Sequence, residues 1–448
     1  MRSCAGRLAA AAALAAAASV SRADNVFTYY SFDGIAQYDM ARCLDGSHTG
    51  VAVQAGVGAD ADKWLVWFEG GGWCYSLADC QHRALGGCAP GGACGSSRGG
   101  RAGDGQGQGF IAGGLMNNNA SMNPSLATWS KVWLPYCDGA SFSGRNAGTV
   151  RFDNGNGTVS DLYFRGAYNL EATLDWLMTN ATTNFSRAET VVLTGCSAGG
   201  LAAYLHADEV AQRVPPTADF RVAPGSGFFS NAVNAYGEPV YSDQMRGVFY
   251  LHNASAGVNQ HCVQAQAAGY EWVCMMAYAS YEYTQSRIFP LQSHTDWWQS
   301  GCVFTAGPIP ANSTENGLCF QGAVAGCAWS LEACTQEQAQ LTLQWASRNR
   351  DDIVLSPTAQ RPGNGGFVNS CHSHCQESSD VWSSIEVGGV PLWRAFDAWL
   401  ASASTDAPMW TVDALNHVAK PPGSPPASCR NVNPSCRPPP ANQSECGW

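Results

Sequence analysis

The chain has 448 residues, of which 45% are hydrophobic and 13% are charged. So little charge excludes an intrinsically disordered protein or a coiled coil, and the length allows one large or two ordinary domains with a sizeable core. The 35 acidic residues exceed the 24 basic ones by 11, which argues against nucleic acid or an anionic lipid surface as a partner.

The first 23 residues have the pattern of a secretory signal peptide. Arg2 and Arg7 precede an apolar run over residues 8–18, and the small residues Ser21 and Ala23 fit a cleavage site. The apolar run is too short to cross a bilayer, so we expect no stable membrane insertion. We expect instead that the chain is secreted, to the extracellular space or a cell wall.

The cysteines indicate a disulfide framework. Removal of a signal peptide with Cys4 would leave 18 of the 19 cysteines, an even number, in an oxidising compartment. Glycosylation sequons fit the same compartment, and they lie at Asn119, Asn156, Asn180, Asn184, Asn253, Asn312 and Asn442. The pairing of the cysteines and the oligomeric state cannot be deduced from the sequence.

Apolar runs of strand length alternate with helical patterns along the chain, which predicts an α/β fold with a mostly parallel sheet covered by helices on both faces. The predicted strands are residues 64–68, 131–136, 190–194 and 220–223. Leucines at 170, 174 and 177, and the apolar residues 392, 396, 399 and 400, recur at helical spacing. We expect residues 24–419 to form one α/β domain.

Two segments do not fit this alternation. Residues 86–114 include 13 glycines and are predicted to form a loop that is crosslinked at Cys88 and Cys94. No strand leads into this segment and no helix leaves it, so a phosphate-binding loop is not expected. Residues 420–448 are rich in proline and cysteine and are predicted to form a C-terminal tail.

Ser197 is the first candidate catalytic residue. Residues 195–199 read GCSAG, between the buried run 190–194 and a helical pattern, which is the strand, turn and helix context of a nucleophile elbow. A serine that only caps a helix would not need glycine at both flanking positions. Cys196 is an alternative nucleophile, but its side chain is expected to turn into the fold as a buried thiol.

An acyl-transfer site also needs hydrogen-bond donors for the developing oxyanion. The amide of Ala198 is one candidate, because it follows the nucleophile directly. Gly72 and Trp73 are the others, because they lie in a glycine-rich loop after the predicted strand 64–68. The alternative is a glycine turn that has no catalytic role and only reverses the direction of the chain.

A base and an orienting acid should follow in the order Ser, Asp, His. The late histidines are His372, His374 and His417. Cys371 and Cys375 flank the first two, which suggests zinc, but four ligands so close in sequence cannot easily surround one tetrahedral ion. We therefore expect no metal and no cofactor.

Five blocks in the same order resemble the pectin acetylesterase and Notum family of α/β-hydrolase carboxylesterases. The similarity covers residues 39–400, and the sequences at 195–201 and 369–376 resemble the plant pectin acetylesterases more than the animal Notum lipases. The resemblance implies one α/β-hydrolase-like catalytic domain over residues 24–419. The blocks are FEGGGWC at 68–74, YCDGASFSG at 136–144, LYFRG at 162–166, GCSAGGL at 195–201 and NSCHSHCQ at 369–376.

The resemblance implies roles for single residues. It implies that Ser197 is the nucleophile, His374 the general base and Asp296, in the segment 293–299, the acid. Asp352 and Asp380 are fallbacks for the acid. His372 is the alternative base. The resemblance implies a two-step acyl transfer through an acyl-enzyme.

The substrate is less constrained. Trp297 and Trp298 lie next to the implied acid, where aromatic faces could stack on sugar rings, although large aromatic residues usually belong to the core. The leading interpretation is removal of acetyl groups from a cell-wall polysaccharide such as pectin. One alternative is Notum-like removal of a fatty acyl group from a protein. An alternative of another class is a catalytically inactive secreted glycoprotein that binds carbohydrate.

Overall fold

The computed structural model describes residues 27–86, 113–307, 319 and 335–414. The predicted signal peptide, the crosslink at Cys88 and Cys94, and the tail 420–448 lie outside the described residues, as do His417 and the sequons at Asn312 and Asn442.

Most strands of the described residues belong to one sheet. The strands are β1 (Thr28–Ser31), β2 (Gly50–Gln54), β3 (Lys63–Phe68), β4 (Ser130–Leu134), β5 (Val150–Asp153), β6 (Val159–Leu162), β7 (Thr190–Cys196), β8 (Asp219–Gly225), β9 (Arg287–Ile288), β10 (Leu291–Ser293), β11 (Gly365–Asn369), β12 (Glu386–Val387), β13 (Val390–Pro391) and β14 (Met409–Val412).

The main sheet has ten strands in the order β1-β2-β4-β3-β7-β8-β10-β11-β14, with β9 paired to β8. The pairs β1-β2 and β2-β4 are antiparallel. The pairs from β4 through β14 are parallel. The prediction of a mostly parallel sheet is therefore confirmed. The predicted runs 64–68 and 190–194 lie in β3 and β7 at its centre.

The α-helices of the described residues are α1 (Leu77–Ala84), α2 (Gly166–Thr179), α3 (Ala198–Arg213), α4 (Val240–Leu251), α5 (Gln260–Ala265), α6 (Ala277–Tyr283), α7 (Trp297–Gln299), α8 (Gln336–Val354) and α9 (Leu392–Ala401). A π-helix at Ser300–Phe304 follows α7 directly. The 3₁₀ helices are Ala36–Tyr38, Gly58–Asp60, Gly114–Met116, Phe185–Arg187, Ala254–Gly257, Glu271–Met275, Gln376–Ser378 and Asp380–Ser383. None of the helices in the described ranges has the length and apolarity that a membrane span requires.

Helices cover both faces of the sheet, as the unbroken apolar strands require. Side chains alternate along β3, so that Val66 packs into one core and Leu65 into the other. The first core includes Leu170 of α2 and Leu201 of α3. The second includes Phe396 of α9.

The described cysteines form the disulfide framework that the sequence predicts. The bonds with both partners described are Cys43–Cys137, Cys74–Cys80, Cys196–Cys375, Cys262–Cys274 and Cys302–Cys319.

The parallel strands bring distant parts of the sequence to one edge. Because β3, β7, β10 and β11 run in the same direction, the residues that follow them emerge at the carboxyl edge of the sheet. These residues are the glycine loop after β3, Ser197 after β7, the segment 294–296 after β10, and the segment 370–375 after β11.

Candidate active site

Ser197 occupies a sharp turn between β7 and α3. Its backbone has φ 59° and ψ −124°, a conformation that costs a non-glycine residue on the order of 1–3 kcal/mol. Gly199 is needed here, because a Cβ at that position would lie 2.1 Å from the carbonyl oxygen of Phe68. The turn leaves Ser197 partly exposed at the sheet edge, between buried neighbours.

Asp296 and His374 meet beside this turn. The Nδ1 of His374 lies 2.7 Å from the Oδ2 of Asp296. Asp296 is fully buried and also caps α7, because its Oδ1 accepts a hydrogen bond of 3.0 Å from the backbone N–H of Gln299. Pairing of Ser293 with Asn369 in the parallel strands β10 and β11 explains why the two following segments lie side by side.

The alternative residues lie elsewhere. The Nδ1 of His372 is 2.8 Å from the backbone oxygen of Thr295, so Asp296 pairs with His374 and not with His372. Asp352 lies in α8, 3.9 Å from Arg348. The side chain of Asp380 lies outside the described part of the structure.

The interpretation of Cys196 as a buried thiol is wrong. Cys196 is buried, but it forms a disulfide with Cys375, with Cα atoms 5.3 Å apart. The two sulfurs and a ring nitrogen of His374 lie within 4.8 Å of one another. Cys371 is also disulfide-bonded, so neither cysteine of the segment 371–375 offers a thiolate to zinc.

This disulfide joins the turn at Ser197 to the loop 370–375, here called the histidine loop, because Cys196 precedes Ser197 and Cys375 follows His374. The hydroxyl of Ser197 makes no hydrogen bond to His374 in the described structure. Such contacts in substrate-free sites are often long and shorten when substrate binds.

The glycine loop after β3 lies directly against the turn at Ser197. A Cβ on Gly70 would lie 3.2 Å from the backbone nitrogen of Ala198 and 2.2 Å from the oxygen of Cys196. Buried Arg83 holds the loop, because its guanidinium donates to the carbonyls of Gly71 (2.9 Å) and Trp73 (2.6 Å).

Two of the predicted oxyanion donors are available for a ligand. Gly72 has φ +72°, a conformation that favours glycine, and its carbonyl is bound by the hydroxyl of Tyr136 at 2.6 Å. The N–H groups of Gly72 and Ala198 make no hydrogen bond within the described residues. The amide of Trp73, the third predicted donor, follows in the same loop.

Sequence reasoning missed a link between the two sides of this site. Buried Ser141 accepts a hydrogen bond of 2.7 Å from Trp73 Nε1 and donates one of 2.7 Å to the carbonyl of Ala198. Its N–H donates to the hydroxyl of Tyr136, which itself binds the carbonyl of Gly72. Both residues lie in the block 136–144, and the resemblance of this block to the family was the available sequence signal for their importance.

Aromatic side chains surround His374. The rings of Trp297 and Trp298 lie 5.7 and 6.1 Å from its imidazole, and both residues are half-buried. The ring of Trp73 is 4% exposed and packs 5.8 Å from Trp298 and 4.8 Å from Phe229. The indole of Trp73 therefore belongs largely to the protein interior.

Several buried carboxyls lie in and around the site. Burial raises the pKa of Glu377 to about 8, and the nearby charge of Asp296 adds to this shift. Burial also raises the pKa of Asp138 to about 7 and that of Asp79 to about 6. Glu377 lies against the end of β8, where a Cβ on Gly225 would be 2.2 Å from its carboxyl group.

Comparison with known proteins shows what this arrangement resembles. The family model "Pectinacetylesterase" matches residues 29–420. Pectin acetylesterase 5 from Arabidopsis thaliana is 31% identical over 346 residues, which cover 77% of this chain and 73% of that protein. The palmitoleoyl-protein carboxylesterase NOTUM from Schmidtea mediterranea is 25% identical over 387 residues, which cover 84% of this chain and 63% of that protein.

A solved structure shows the same fold. The Wnt deacylase Notum from Drosophila superposes with a TM-score of 0.63 at 18% identity, over 87% of this chain and 96% of that chain. The α/β-hydrolase-like fold expected from the sequence is therefore confirmed.

Proposed function

The chain belongs to the pectinacetylesterase family and is a carboxylic ester hydrolase, and from this premise we propose that it removes acetyl groups from a cell-wall polysaccharide such as pectin. The hydrogen bond of 2.7 Å between His374 and Asp296, beside the turn that carries Ser197, is the observation that supports an active serine esterase. The names of the Arabidopsis relatives, which are pectin acetylesterases, support the substrate. Residues 24–419 would form the catalytic domain.

In the first step, Ser197 acts as the nucleophile. Asp296 accepts the Nδ1–H of His374, which leaves Nε2 free to take a proton. Nε2 removes the proton of the Ser197 hydroxyl as its oxygen bonds to the ester carbonyl carbon. The bond between the acyl carbon and the sugar oxygen then breaks, the protonated His374 gives its proton to that departing oxygen, and the acetyl group stays on Ser197.

In the second step, water releases the acetyl group. His374 takes a proton from the water as its oxygen attacks the acyl-enzyme carbonyl, and returns it to the oxygen of Ser197 as acetate leaves. In both steps the negative oxygen of the tetrahedral intermediate is bound by the N–H groups of Gly72, Trp73 and Ala198. The chemistry requires no cofactor and no metal.

The substrate chain would lie across the aromatic surface next to His374. Trp297 and Trp298 are half-buried there, so each keeps part of its ring available for stacking on a sugar. We assign both residues to substrate binding.

We place the enzyme outside the cell or in a cell wall. The disulfides support an oxidising compartment, because thiols stay reduced in the cytosol. The sequons at Asn119, Asn156, Asn184 and Asn253 are exposed, which suits glycosylation.

A hydrolysis panel tests the substrate. We expect acetate release from acetylated pectin at a higher kcat/KM than from acetylated xylan, and activity on p-nitrophenyl esters that falls from acetate to octanoate. A preference for octanoate would instead favour removal of a fatty acyl group, as the palmitoleoyl-protein carboxylesterases perform.

The role of Ser197 is tested on the same panel. Ser197→Ala should lower kcat roughly 10⁶-fold, as removal of the nucleophile does in other triads. A fluorophosphonate should label the wild-type protein and not this variant. Absence of labelling in the folded wild type would favour an inactive carbohydrate-binding protein.

A further inference from the structure

Each proposed oxyanion donor of the glycine loop shares a peptide group with the carbonyl of the residue before it. These peptide groups are trans, so the C=O and the N–H of each group point in opposite directions. A side chain that holds the Gly71 carbonyl therefore sets the direction of the Gly72 N–H. In the same way, a side chain that holds the Gly72 carbonyl sets the direction of the Trp73 N–H.

Buried side-chain donors hold both of these carbonyls. The guanidinium of Arg83, which is fully buried, donates to the carbonyl of Gly71 at 2.9 Å. The hydroxyl of Tyr136, which is also buried, donates to the carbonyl of Gly72 at 2.6 Å. A second bond of Arg83, to the Trp73 carbonyl at 2.6 Å, fixes the end of the same segment. Both peptide groups are thus held on the side opposite to their N–H groups.

The fold explains why these two side chains reach the loop. The ends of the parallel strands β3 and β4 pair with each other, so the chain leaves both strands side by side and Tyr136 lies next to the glycine loop. Arg83 comes from α1, which the Cys74–Cys80 disulfide ties to the end of that loop.

Both side chains also suit the electrostatics of an oxyanion site. Burial raises the pKa of Tyr136 well above its ordinary value, so the hydroxyl keeps its proton and remains a donor. A hydrogen bond to a carbonyl polarises the whole peptide group and strengthens its N–H as a donor, and the cationic guanidinium of Arg83 does this most strongly. Amides that are held in place before the reaction stabilise the transition state without reorganisation.

We propose that Arg83 and Tyr136 are positioning residues of the oxyanion site, in which Arg83 orients the N–H of Gly72 and Tyr136 orients the N–H of Trp73. This inference rests on the proposed acyl transfer at Ser197, but not on the identity of the sugar. Each side chain acts through the carbonyl side of a peptide group and does not need to touch the substrate.

Tyr136→Phe tests the proposal, because it removes one hydroxyl and keeps the buried ring. We expect kcat/KM for p-nitrophenyl acetate to fall about tenfold, less than the roughly 10²–10³-fold cost of losing a whole oxyanion donor. An alkyl trifluoromethyl ketone adds to a nucleophilic serine and forms a stable oxyanion, so its inhibition constant should rise by the same factor. A variant that was only less well folded would lose kcat, but its folded fraction would keep the inhibition constant of the wild type.

Tyr241→Phe is the matched control. Tyr241 is also buried, and its ring also packs on Trp73, at 5.9 Å, but its hydroxyl has no hydrogen-bond partner within the described residues. This variant should keep both kcat/KM and the inhibition constant. Equal changes in Tyr241→Phe and Tyr136→Phe would contradict a specific role of the Tyr136 hydroxyl.

Arg83→Lys is the second variant. It keeps the positive charge but loses the planar fork that reaches two carbonyls, so kcat/KM should fall and the inhibition constant should rise together. Tyr136→Phe also removes the acceptor of the Ser141 N–H at 3.1 Å, whereas Arg83→Lys leaves that bond in place. The same paired change in both variants therefore assigns the effect to the carbonyls of the loop. Thermal unfolding shows whether each variant is folded.

Two results would overturn the assignment. One is an unchanged kcat/KM and an unchanged inhibition constant in folded Tyr136→Phe, or in folded Arg83→Lys if Tyr136→Phe does not fold. The other is a fall in kcat/KM with an unchanged inhibition constant, because the side chain would then act elsewhere than on the oxyanion. Failure of the proposed acyl transfer itself is distinct, since the wild type would then neither hydrolyse p-nitrophenyl acetate nor be inhibited by the ketone.

Discussion

Cys196 and Cys375 form a disulfide between the residue before Ser197 and the residue after His374. The bond spans 179 positions of sequence and connects the ends of β7 and β11, which are not neighbours in the sheet. The histidine loop is fixed a second time on β8, because the N–H of Cys375 donates to the hydroxyl of Ser226 at 2.8 Å. The distance between Ser197 and His374, the proposed nucleophile and base, therefore depends on a covalent link.

Removal of this link should lower turnover more than substrate affinity. We expect the double variant Cys196→Ala and Cys375→Ala to lose about 10²-fold in kcat, because displacement of a reacting group by about 1 Å can cost that much. KM should change little, since neither cysteine belongs to the aromatic surface of Trp297 and Trp298 that we assign to substrate binding. Steady-state kinetics on p-nitrophenyl acetate measures both quantities.

A second disulfide provides the control. The double variant Cys262→Ala and Cys274→Ala also removes a buried disulfide, but one that joins α5 to a nearby 3₁₀ helix. It should lose stability, on the order of 2–4 kcal/mol, and keep its kcat. Equal losses of kcat in the two double variants would show that the Cys196–Cys375 bond acts only through global stability.

The pairing of Asp296 with His374 predicts which histidine is the base. His374→Ala should lower kcat about as far as loss of Ser197, roughly 10⁶-fold, and Asp296→Asn by roughly 10⁴-fold. His372→Ala removes a contact to the Thr295 carbonyl and leaves the Asp296–His374 pair in place, so it should cost less than about tenfold. Stopped assays near pH 7 on all three variants decide the matter, and a greater loss in His372→Ala than in His374→Ala would reverse the assignment.

Ser141 should control the spacing of the oxyanion donors. Ser141→Ala removes the partner of both Trp73 Nε1 and the Ala198 carbonyl. We expect a fall in kcat of about tenfold, a fraction of the effect of losing a whole oxyanion donor, with KM nearly constant. Ser143→Ala is the matched control, since its hydroxyl is also buried but, among the described residues, bonds to the Ala140 carbonyl and the Met275 sulfur and not to the oxyanion donors. A similar loss of kcat in both variants would mean that the position of the oxyanion donors does not depend on Ser141.

Glu377 should make stability depend on pH. Its pKa is about 8 in the folded protein, against an ordinary value of 4.5. Between pH 4.5 and 8 the unfolded chain releases this proton and the folded chain keeps it, so the free energy of unfolding falls as pH rises. Glu377→Gln removes this loss, and at pH 8 it should be more stable than the wild type by on the order of a few kcal/mol.

Urea unfolding at several pH values measures this difference. The two proteins should converge near pH 4, where the glutamate is protonated in both states. Asp138→Asn should behave similarly over a lower window that ends near pH 7. A constant difference between Glu377→Gln and the wild type across pH 4–8 would contradict the assignment of a neutral buried glutamate.

The centre of the fold could be predicted because its strands are buried on both faces. The residues of β3 and β7 form unbroken apolar runs, and the glycines around Ser197 mark the turn between β7 and α3. The residues of β10 carry no comparable signal. This strand has three residues, including Gln292 and Ser293. Family resemblance, and not periodicity, therefore points to Asp296, which follows this strand.

The connections across the site could not be predicted from local pattern. A sequence does not encode which cysteines pair, so the disulfide of Cys196 has no local signal. The contacts of Ser141 depend on two turns, after β3 and after β7, that meet only in the folded chain.

The buried carboxyls have a practical consequence for preparing this protein. Thiol–disulfide exchange needs thiolate, so oxidative refolding is usually run near or above pH 8, close to the pKa of cysteine. Asp79, Asp138 and Glu377 would all be ionised in the unfolded chain under those conditions, and each must take up a proton or be buried as an anion as the chain folds. A pH near 8 therefore speeds disulfide formation but disfavours the folded conformation that the disulfides stabilise. A mildly acidic refolding step with a thiol catalyst of low pKa would satisfy both requirements, because such a thiol still forms thiolate at that pH.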